Sequence, residues 1–541
     1  MTSKKQEQNP EGGHHPHELI EQMELVEVQD NRHGQFHRSF TPRQVHIISL
    51  GSNMGSGLFI GTGKALFQGG PANMVIAYFL VCTGVWATIQ TLSEMTIAFP
   101  TSGNYIDYAD RWCDPALAFG AGFAEWLGWT AVYAAEAVFF DVLLRYWAGD
   151  GFPLAASLTI FTVAVYAIFS LPNKVFAWFE YATSLIKIFL FFLIVTLSLA
   201  LIGGAGPGGH VHDGSYWRDL PAFKNGFAGF SNCALLAIWA VGDQIFIGVI
   251  GGEAQNPRFS MAHAAKIVPY RVLLVFMSIV TFITILVPAD DERLFGGSDV
   301  SASPFVIALD NASIPGLPDL INACIIVGVM GIAAECIYLS SRVLRTMAHQ
   351  GLIPAVIANV DAKGRPRLAL LVTCGVGTIL TYINLSAGGI TVFNWLISIT
   401  SASFFINWMV VAVSSWRFHK ALKAQQDPLF SQLYAWRSTA WPLAPVWLMT
   451  ISLLLLVCCV YAGIVPPTFS VESFFQQIIG ALLISGSTLA YKLIFQTPWR
   501  DARTADCVTG RRSLTDDDIR QLDEYYALPK YKRVFTYVQL W

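Results

Sequence analysis

The chain has 541 residues, of which 54% are hydrophobic and only 13% charged, with a mean hydropathy of +0.49 and a formal net charge of −3. A soluble globule of this length cannot hide so much apolar surface, so the composition excludes a soluble enzyme or binding module and reads as an all-α polytopic membrane protein. No basic patch interleaved with aromatics points to nucleic acid, and the nine cysteines form neither a CxxC pair nor a His/Cys cluster at metal-ligand spacing, which argues against a zinc site or a disulfide framework.

Residues 1–43 are polar, with no apolar core after Lys4 and Lys5, and are expected to be a cytoplasmic tail without a signal peptide. At roughly 20 residues per crossing, twelve spans follow, at about 44–66, 74–99, 116–147, 153–171, 175–203, 227–251, 267–288, 317–348, 367–386, 390–413, 444–466 and 470–496. Residues 44–496 thus form the transmembrane domain and 497–541 a second polar tail; both tails are expected to be disordered or loosely helical rather than folded. Arg111, Lys174, Arg258, Lys266, Arg271, Arg342, Arg345, Lys363, Arg365, Arg367, Arg417, Lys420 and Lys423 fall on the even-numbered turns, against Lys64, Arg145, Arg218, Lys224 and Arg293 on the odd ones. The bias places both termini in the cytoplasm. Asn311 and Asn384 head N-x-S sequons on or near the outer face, Asn384 close to the membrane.

The first span is broken by four glycines in Leu-Gly-Ser-Asn-Met-Gly-Ser-Gly-Leu-Phe-Ile-Gly-Thr, residues 50–62. Unwound backbone inside a bilayer survives only where protein encloses it, so Asn53, Gly55, Ser56 and Gly57 are candidate substrate contacts, although the same small residues could serve a close-packed helix seam. The sixth span carries a second break at Gly242, Asp243 and Gln244, preceded by Trp239, which suits an aromatic lid, a cation–π platform or plain packing. Breaks five spans apart in oppositely directed helices predict an inverted repeat of spans 1–5 and 6–10 with two helices appended, and a site between the breaks.

Ionisable groups inside spans are costly and therefore informative. Glu125, Trp129, Tyr133, Glu136 and Phe140 share one helical face of the third span, expected to look inward. Glu136 reads as functional or as a structural hydrogen-bonded carboxyl. Lys187 in the fifth span needs a counter-group, either carbonyls freed by the first break or one of the acids Glu125, Glu136, Asp243 and Glu335. Glu94, before Phe99 and Pro100, suits a cap or an ion pair. No nucleophile–base pair or nucleotide loop suggests an enzyme, so neither catalytic nor metal residues are assigned.

Gly55–Gly61 with Gly69-Gly70-Pro71, Leu92-Ser93-Glu94 with Phe99–Gly103, Asp114-Pro115 with Trp126, Trp129 and Glu136, Gly251-Gly252-Glu253 with Asn256-Pro257, and Tyr338–Arg342 with Gly364-Arg365-Pro366 occur in one order along the chain. Together they resemble the fungal and bacterial amino-acid permeases of the amino acid–polyamine–organocation superfamily, over roughly residues 40–500. The resemblance implies a twelve-helix fold of the LeuT type, with helices 1 and 6 broken and the substrate carboxylate held by the N–H groups of Gly55, Ser56 and Gly57. It also implies a proton rather than sodium as coupling ion, no other cofactor, Lys187 in the place of a cation, and Glu136 at an acidic position linked to transport. The expected function is proton-coupled import of amino acids or related cationic amines by alternating access, in the plasma membrane. The alternatives are a transporter-like nutrient sensor and a carnitine or polyamine permease. The expected partners are a small-molecule substrate and the lipid membrane, not nucleic acid, with the tails as candidates to bind trafficking or signalling proteins. Gly242-Asp243-Gln244 stands where the family commonly has Gly-Thr-Glu, and Glu335 where it has a small polar residue; three acids near the site would suit a cationic substrate unless they pair with Lys187.

Overall fold

The computed structural model describes residues 51, 54–101, 103–149, 151–170, 173–205, 209, 211–242, 257–294, 303–361, 364–386, 389–465 and 469–533. Among these every regular element is helical. Residues Gly57–Gly61 form a π-turn that runs into α1 (Thr62–Ala98). Gly70 interrupts α1 with φ 76° and ψ 172°, and Pro71 follows it, so α1 contains the second half of span 1 and all of span 2. A Cβ at Gly70 would sit 2.7 Å from the Pro221 carbonyl oxygen, and the positive φ suits glycine alone.

The short α2 (Asn104–Trp112) leads to α3 (Pro115–Ala148), whose start is set by Asp114 accepting from the Ala116 N–H at 2.8 Å with Pro115 in the first turn. Then come α4 (Leu154–Ser170), α5 (Asn173–Ile202), the single turn α6 (Ser215–Arg218) and α7 (Gly226–Val241). The chain continues with α8 (Pro257–Leu286), α9 (Pro304–Asn311), α10 (Leu317–His349), α11 (Arg367–Ile383), α12 (Gly389–Ala424), α13 (Leu443–Ile464), α14 (Val471–Phe495) and α15 (Asp516–Ala527). Eight of these helices are long and apolar enough to cross a bilayer, and α4, α7 and α11 are shorter apolar helices. With α1 counted as two spans, each of the twelve expected spans is represented among the described residues, spans 1 and 6 only in part. Ile160, Phe189, Leu274, Leu371, Ile379 and Leu493 are exposed, as expected of side chains that meet lipid rather than water.

Packing partners reveal the repeat. Span 3 packs on span 8, span 4 on 9, span 1 on 6 and span 2 on 7, each helix against its counterpart five places on. The other pairs map onto one another under the same shift: 5 with 8 onto 10 with 3, 3 with 4 onto 8 with 9, and 5 with 7 onto 10 with 2. An odd shift reverses direction across the membrane, so this is the inverted arrangement expected, with α13 and α14 outside it.

Two spans are longer than hydropathy predicts. Span 7 starts at 257, not 267, and runs through Pro269; span 10 continues past 413 to 424. Both extensions carry the basic residues that hydropathy scores as loop. They lie on the face shared with α2, where His419 Nε2 lies in hydrogen-bond contact with Glu94 Oε2 at 2.8 Å. Lys64 needs a firmer correction: it is no loop residue but lies buried within α1, its ammonium donating to the Asn394 side chain of α12.

The C-terminal segment is also not loose. Residues 497–533 pack across the face that carries α2, here called the tail face. Arg500 N–H donates to the Cys113 carbonyl at 2.8 Å, Trp112 Nε1 to the Asp506 carbonyl at 3.0 Å, and Arg512 N–H to the Ala98 carbonyl at 3.0 Å. Gln425 Nε2 donates to the carbonyls of Ala502 and Ala505, while Ala502, Ala505, Cys507 and Leu522 are buried. α15 begins with a capping box between Thr515 and Asp518. Small apolar residues among charges conceal this in the sequence. Trp112 is the keystone, stacked on Phe418 at 4.3 Å and Tyr108 at 5.1 Å. Trp112→Ala is expected to cost about 3–5 kcal/mol and to make residues 500–530 protease-sensitive, readable by limited proteolysis alongside thermal unfolding in detergent.

Candidate functional site

The first break and the end of α7 meet at the centre of the bundle. The N–H groups of Leu58 and Phe59 bond back to the Gly55 carbonyl, so the helix begins at Ser56 and Gly57. A serine at that position normally folds its hydroxyl back onto its own helix. Ser56 does not: it makes no cap, and its Oγ donates instead to Oε1 of Glu136 on α3. Among the described residues no side chain caps the helix N-terminus, which keeps the partial positive charge and amide donors such an end carries. A π-turn at this point, rather than regular α-helix, is itself a frequent companion of function.

Gly57 faces α7 so closely that a Cβ there would lie 2.8 Å from the Cα of Ala240. Trp239, one residue earlier, covers Gly61, whose Cβ would meet its indole at 2.7 Å, and leans on Phe139 with ring centroids 5.9 Å apart. The helix α7 ends at Val241 with Gly242 as its cap. Two half-helix ends of opposite polarity thus converge, the amino end at Gly57 and the carbonyl end at Val241.

Between them lies a cavity of about 40 Å³, walled by Gly55, Ser56, Gly57, Trp129, Val132, Glu136, Trp239, Ala240, Ile332 and Phe404. Roughly three waters would fill that space.

Glu125, Trp129, Tyr133 and Glu136 are all buried on α3, as their spacing predicts. The two acids differ in their surroundings. Glu125 accepts from Trp129 Nε1 at 2.9 Å and from Asn407 Nδ2 of α12 at 2.7 Å, which satisfies both oxygens and ties span 3 to span 10. Glu136 has Ser56 on one oxygen, while Oε2 has no hydrogen-bond partner among the described residues.

Lys187 and Glu335 are not among the cavity walls. Glu335 is buried on α10 one turn beyond Ile332. Lys187 is wholly buried behind α10, its Nζ 3.1 Å from where a Cβ at Gly331 would stand. Among the described residues its partner is not Glu125, Glu136 or Glu335. Glu180, two turns earlier on α5 and equally buried, holds its ammonium at 3.5 Å. A seven-residue spacing on one helical face is the signal that could have revealed it. Beside the pair, Ser184 touches Gly51 ahead of the first break, so this buried charge centre joins spans 1, 5 and 8.

Asn53, Asp243 and Gln244 lie outside the described residues. Asn311 is exposed at the end of α9 and accepts from Arg293 Nη2 at 2.7 Å. Asn384 is buried, its amide turned onto the Thr381 carbonyl at 2.8 Å, which leaves no room for a glycan.

Compared with known proteins, residues 44–503 match the family model described as amino acid permease. The chain is 31% identical over 522 residues to amino-acid permease GAP3 of Candida albicans, covering 94% of this chain and 86% of that one. It is 29% identical over 512 residues to general amino-acid permease GAP1 of Saccharomyces cerevisiae, covering 92% and 84%. Among solved structures it is similar to Mhp1, a nucleobase-cation-symport-1 family transporter, at 13% identity and a TM-score of 0.47 over 90% of this chain and 97% of that one.

Proposed function

Because the chain belongs to the amino acid permease family, we propose that it is a proton-coupled importer of amino acids in the plasma membrane, with both termini cytoplasmic. The observation that carries the reading is the diversion of Ser56 to Glu136, which leaves an uncapped helix amino end facing the carbonyl end of α7. A zwitterion fits that pair of poles, carboxylate at Gly55–Gly57 and ammonium toward Val241 and Gly242.

Glu136 links binding to the proton. A buried carboxyl with one unpartnered oxygen and a hydroxyl that also sits at the substrate's anchor point is suited to take up and release a proton as Ser56 changes partner. In this reading Lys187 stands in for a cation, and its buried pairing with Glu180 supports a role in holding spans 1, 5 and 8 in register. Apart from the backbone at Gly55–Gly57, Ser56 and the single acid Glu136, the described walls are aromatic and aliphatic, which favours an amino acid with an apolar side chain over a cationic amine.

Proteoliposomes loaded with the purified chain test this directly. An imposed inward proton gradient should drive accumulation of labelled leucine or phenylalanine above equilibrium, a protonophore should abolish it, and carnitine and spermidine should compete poorly. Glu136→Gln should leave exchange of internal for external amino acid while removing the response to the gradient. Accumulation indifferent to the protonophore would refute coupling, and saturable binding without accumulation would favour a sensor.

A further inference from the structure

On the tail face, remote from the central cavity, a second cavity of about 250 Å³ opens between the end of α1, the start of α8, the 429–436 segment and the C-terminal segment. Its walls include Ile97, Leu433, Trp436, Leu514 and Ile519, and its charged side chains are Arg258 and Arg512. The two guanidiniums are not equivalent. Arg512 is paired with Asp518 at 3.2 Å. Arg258 is 93% buried by its neighbours, being 7% exposed, yet no carboxylate pairs with it among the described residues. Its partners are the Tyr434 carbonyl, which accepts from Nε at 2.7 Å, and the Tyr526 hydroxyl, neither of which carries a charge.

Among the described residues this buried cation at the rim of the pocket has no counter-charge, and burial of such a charge is costly unless something neutralises it. The pocket supplies space for an apolar group of several carbons and one cation for its head. Among the described residues it offers no free acid for an ammonium, because Asp518 is engaged by Arg512 and by the cap of α15.

We propose that this cavity binds a monoanionic amphiphile, its carboxylate or phosphate head on Arg258 and its apolar portion against Leu433, Leu514 and Ile519. The ligand would lie between the C-terminal segment and the body of the bundle, so occupancy should brace that segment in place. The anion could be a free short-chain acid or the head and upper chain of an anionic lipid; the chemistry recognised is the same.

Octanoate is the probe, titrated calorimetrically into the full-length protein in phosphatidylcholine nanodiscs. Saturable, protein-dependent binding is expected, with octanol and inorganic phosphate each binding at least tenfold more weakly because each lacks one half of the match. Arg258→Gln should weaken octanoate at least tenfold and Arg258→Lys much less. Should Arg258→Gln fail to fold, Ser513→Asp at the exposed rim places a carboxylate near the cation and should weaken octanoate by a similar factor. Nanodiscs containing phosphatidylserine separate the sources: competition with octanoate identifies a lipid, and unchanged octanoate binding identifies a soluble acid. Octanol binding as tightly as octanoate, no saturable octanoate binding, or octanoate binding unaffected by either Arg258→Gln or Ser513→Asp would overturn the proposal.

Discussion

Gly57→Ala is expected to reduce amino-acid uptake to background while the protein still inserts and purifies as a monodisperse species. The added methyl carbon would stand 2.8 Å from a backbone atom of Ala240 and an equal distance from its Cβ, closer than real contacts allow. Backbone cannot swing aside as a flexible side chain can, so the two half-helix ends must separate. The amide donors at Gly57 and the carbonyls near Val241 would then no longer present one ligand with both poles at the required spacing. Equilibrium binding of a labelled amino acid should fall in parallel with uptake. Normal binding in this variant would show that the substrate does not sit at the crossing of spans 1 and 6.

The second large effect concerns the buried pair. Lys187→Met removes the ammonium and leaves the Glu180 carboxylate enclosed at 1% exposure without its cation. Breaking one side of a buried pair costs about 3–5 kcal/mol, whereas replacing both sides by neutral groups of similar volume is far less damaging. Lys187→Met should therefore unfold well below the parent protein, and Glu180→Gln with Lys187→Met should recover most of the loss. Thermal unfolding in detergent measures both. A double variant no more stable than Lys187→Met alone would mean that Glu180 is not the group that neutralises the lysine. Recovery of stability without recovery of gradient-driven uptake is the expected outcome, because the charge centre joining spans 1, 5 and 8 would be structurally replaced but electrically absent.

Much of this architecture is legible in the sequence where apolar runs end in unambiguous punctuation. Span 3 begins at the Asp114-Pro115 cap and span 8 just after Gly316, and both lie within two residues of expectation at either end. The face of α3 that carries Glu125 and Glu136 is equally plain from its spacing. Hydropathy fails where a helix leaves the bilayer without stopping: the basic start of α8 and the basic end of α12 look like loops because their polar residues face other protein or water, yet their backbone hydrogen bonds continue. Lys64 counts among the odd-side basic residues for the same reason, although within α1 its ammonium donates to the Asn394 side chain of α12. Glu180 was overlooked because it sits one to two turns after Asn173 and Lys174, where an acid passes for a helix-end residue. The partition of roles between Glu125 and Glu136 depends on Asn407 and Ser56, which come from distant segments, and no local pattern encodes that.

The C-terminal segment bears on the order in which the molecule can be completed. Trp112 and Asp506, joined by one hydrogen bond, are 394 residues apart in the chain, and Arg500 and Asp110 are 390 apart. A ribosome delivers these partners at opposite ends of synthesis, and contacts so remote in the chain are the last to close. Throughout translation the stacked aromatics at the end of α2 must wait with one side uncovered. A chain released before residue 500 would lack the segment that covers that apolar patch, so an incomplete product can be told from a finished one by its surface alone.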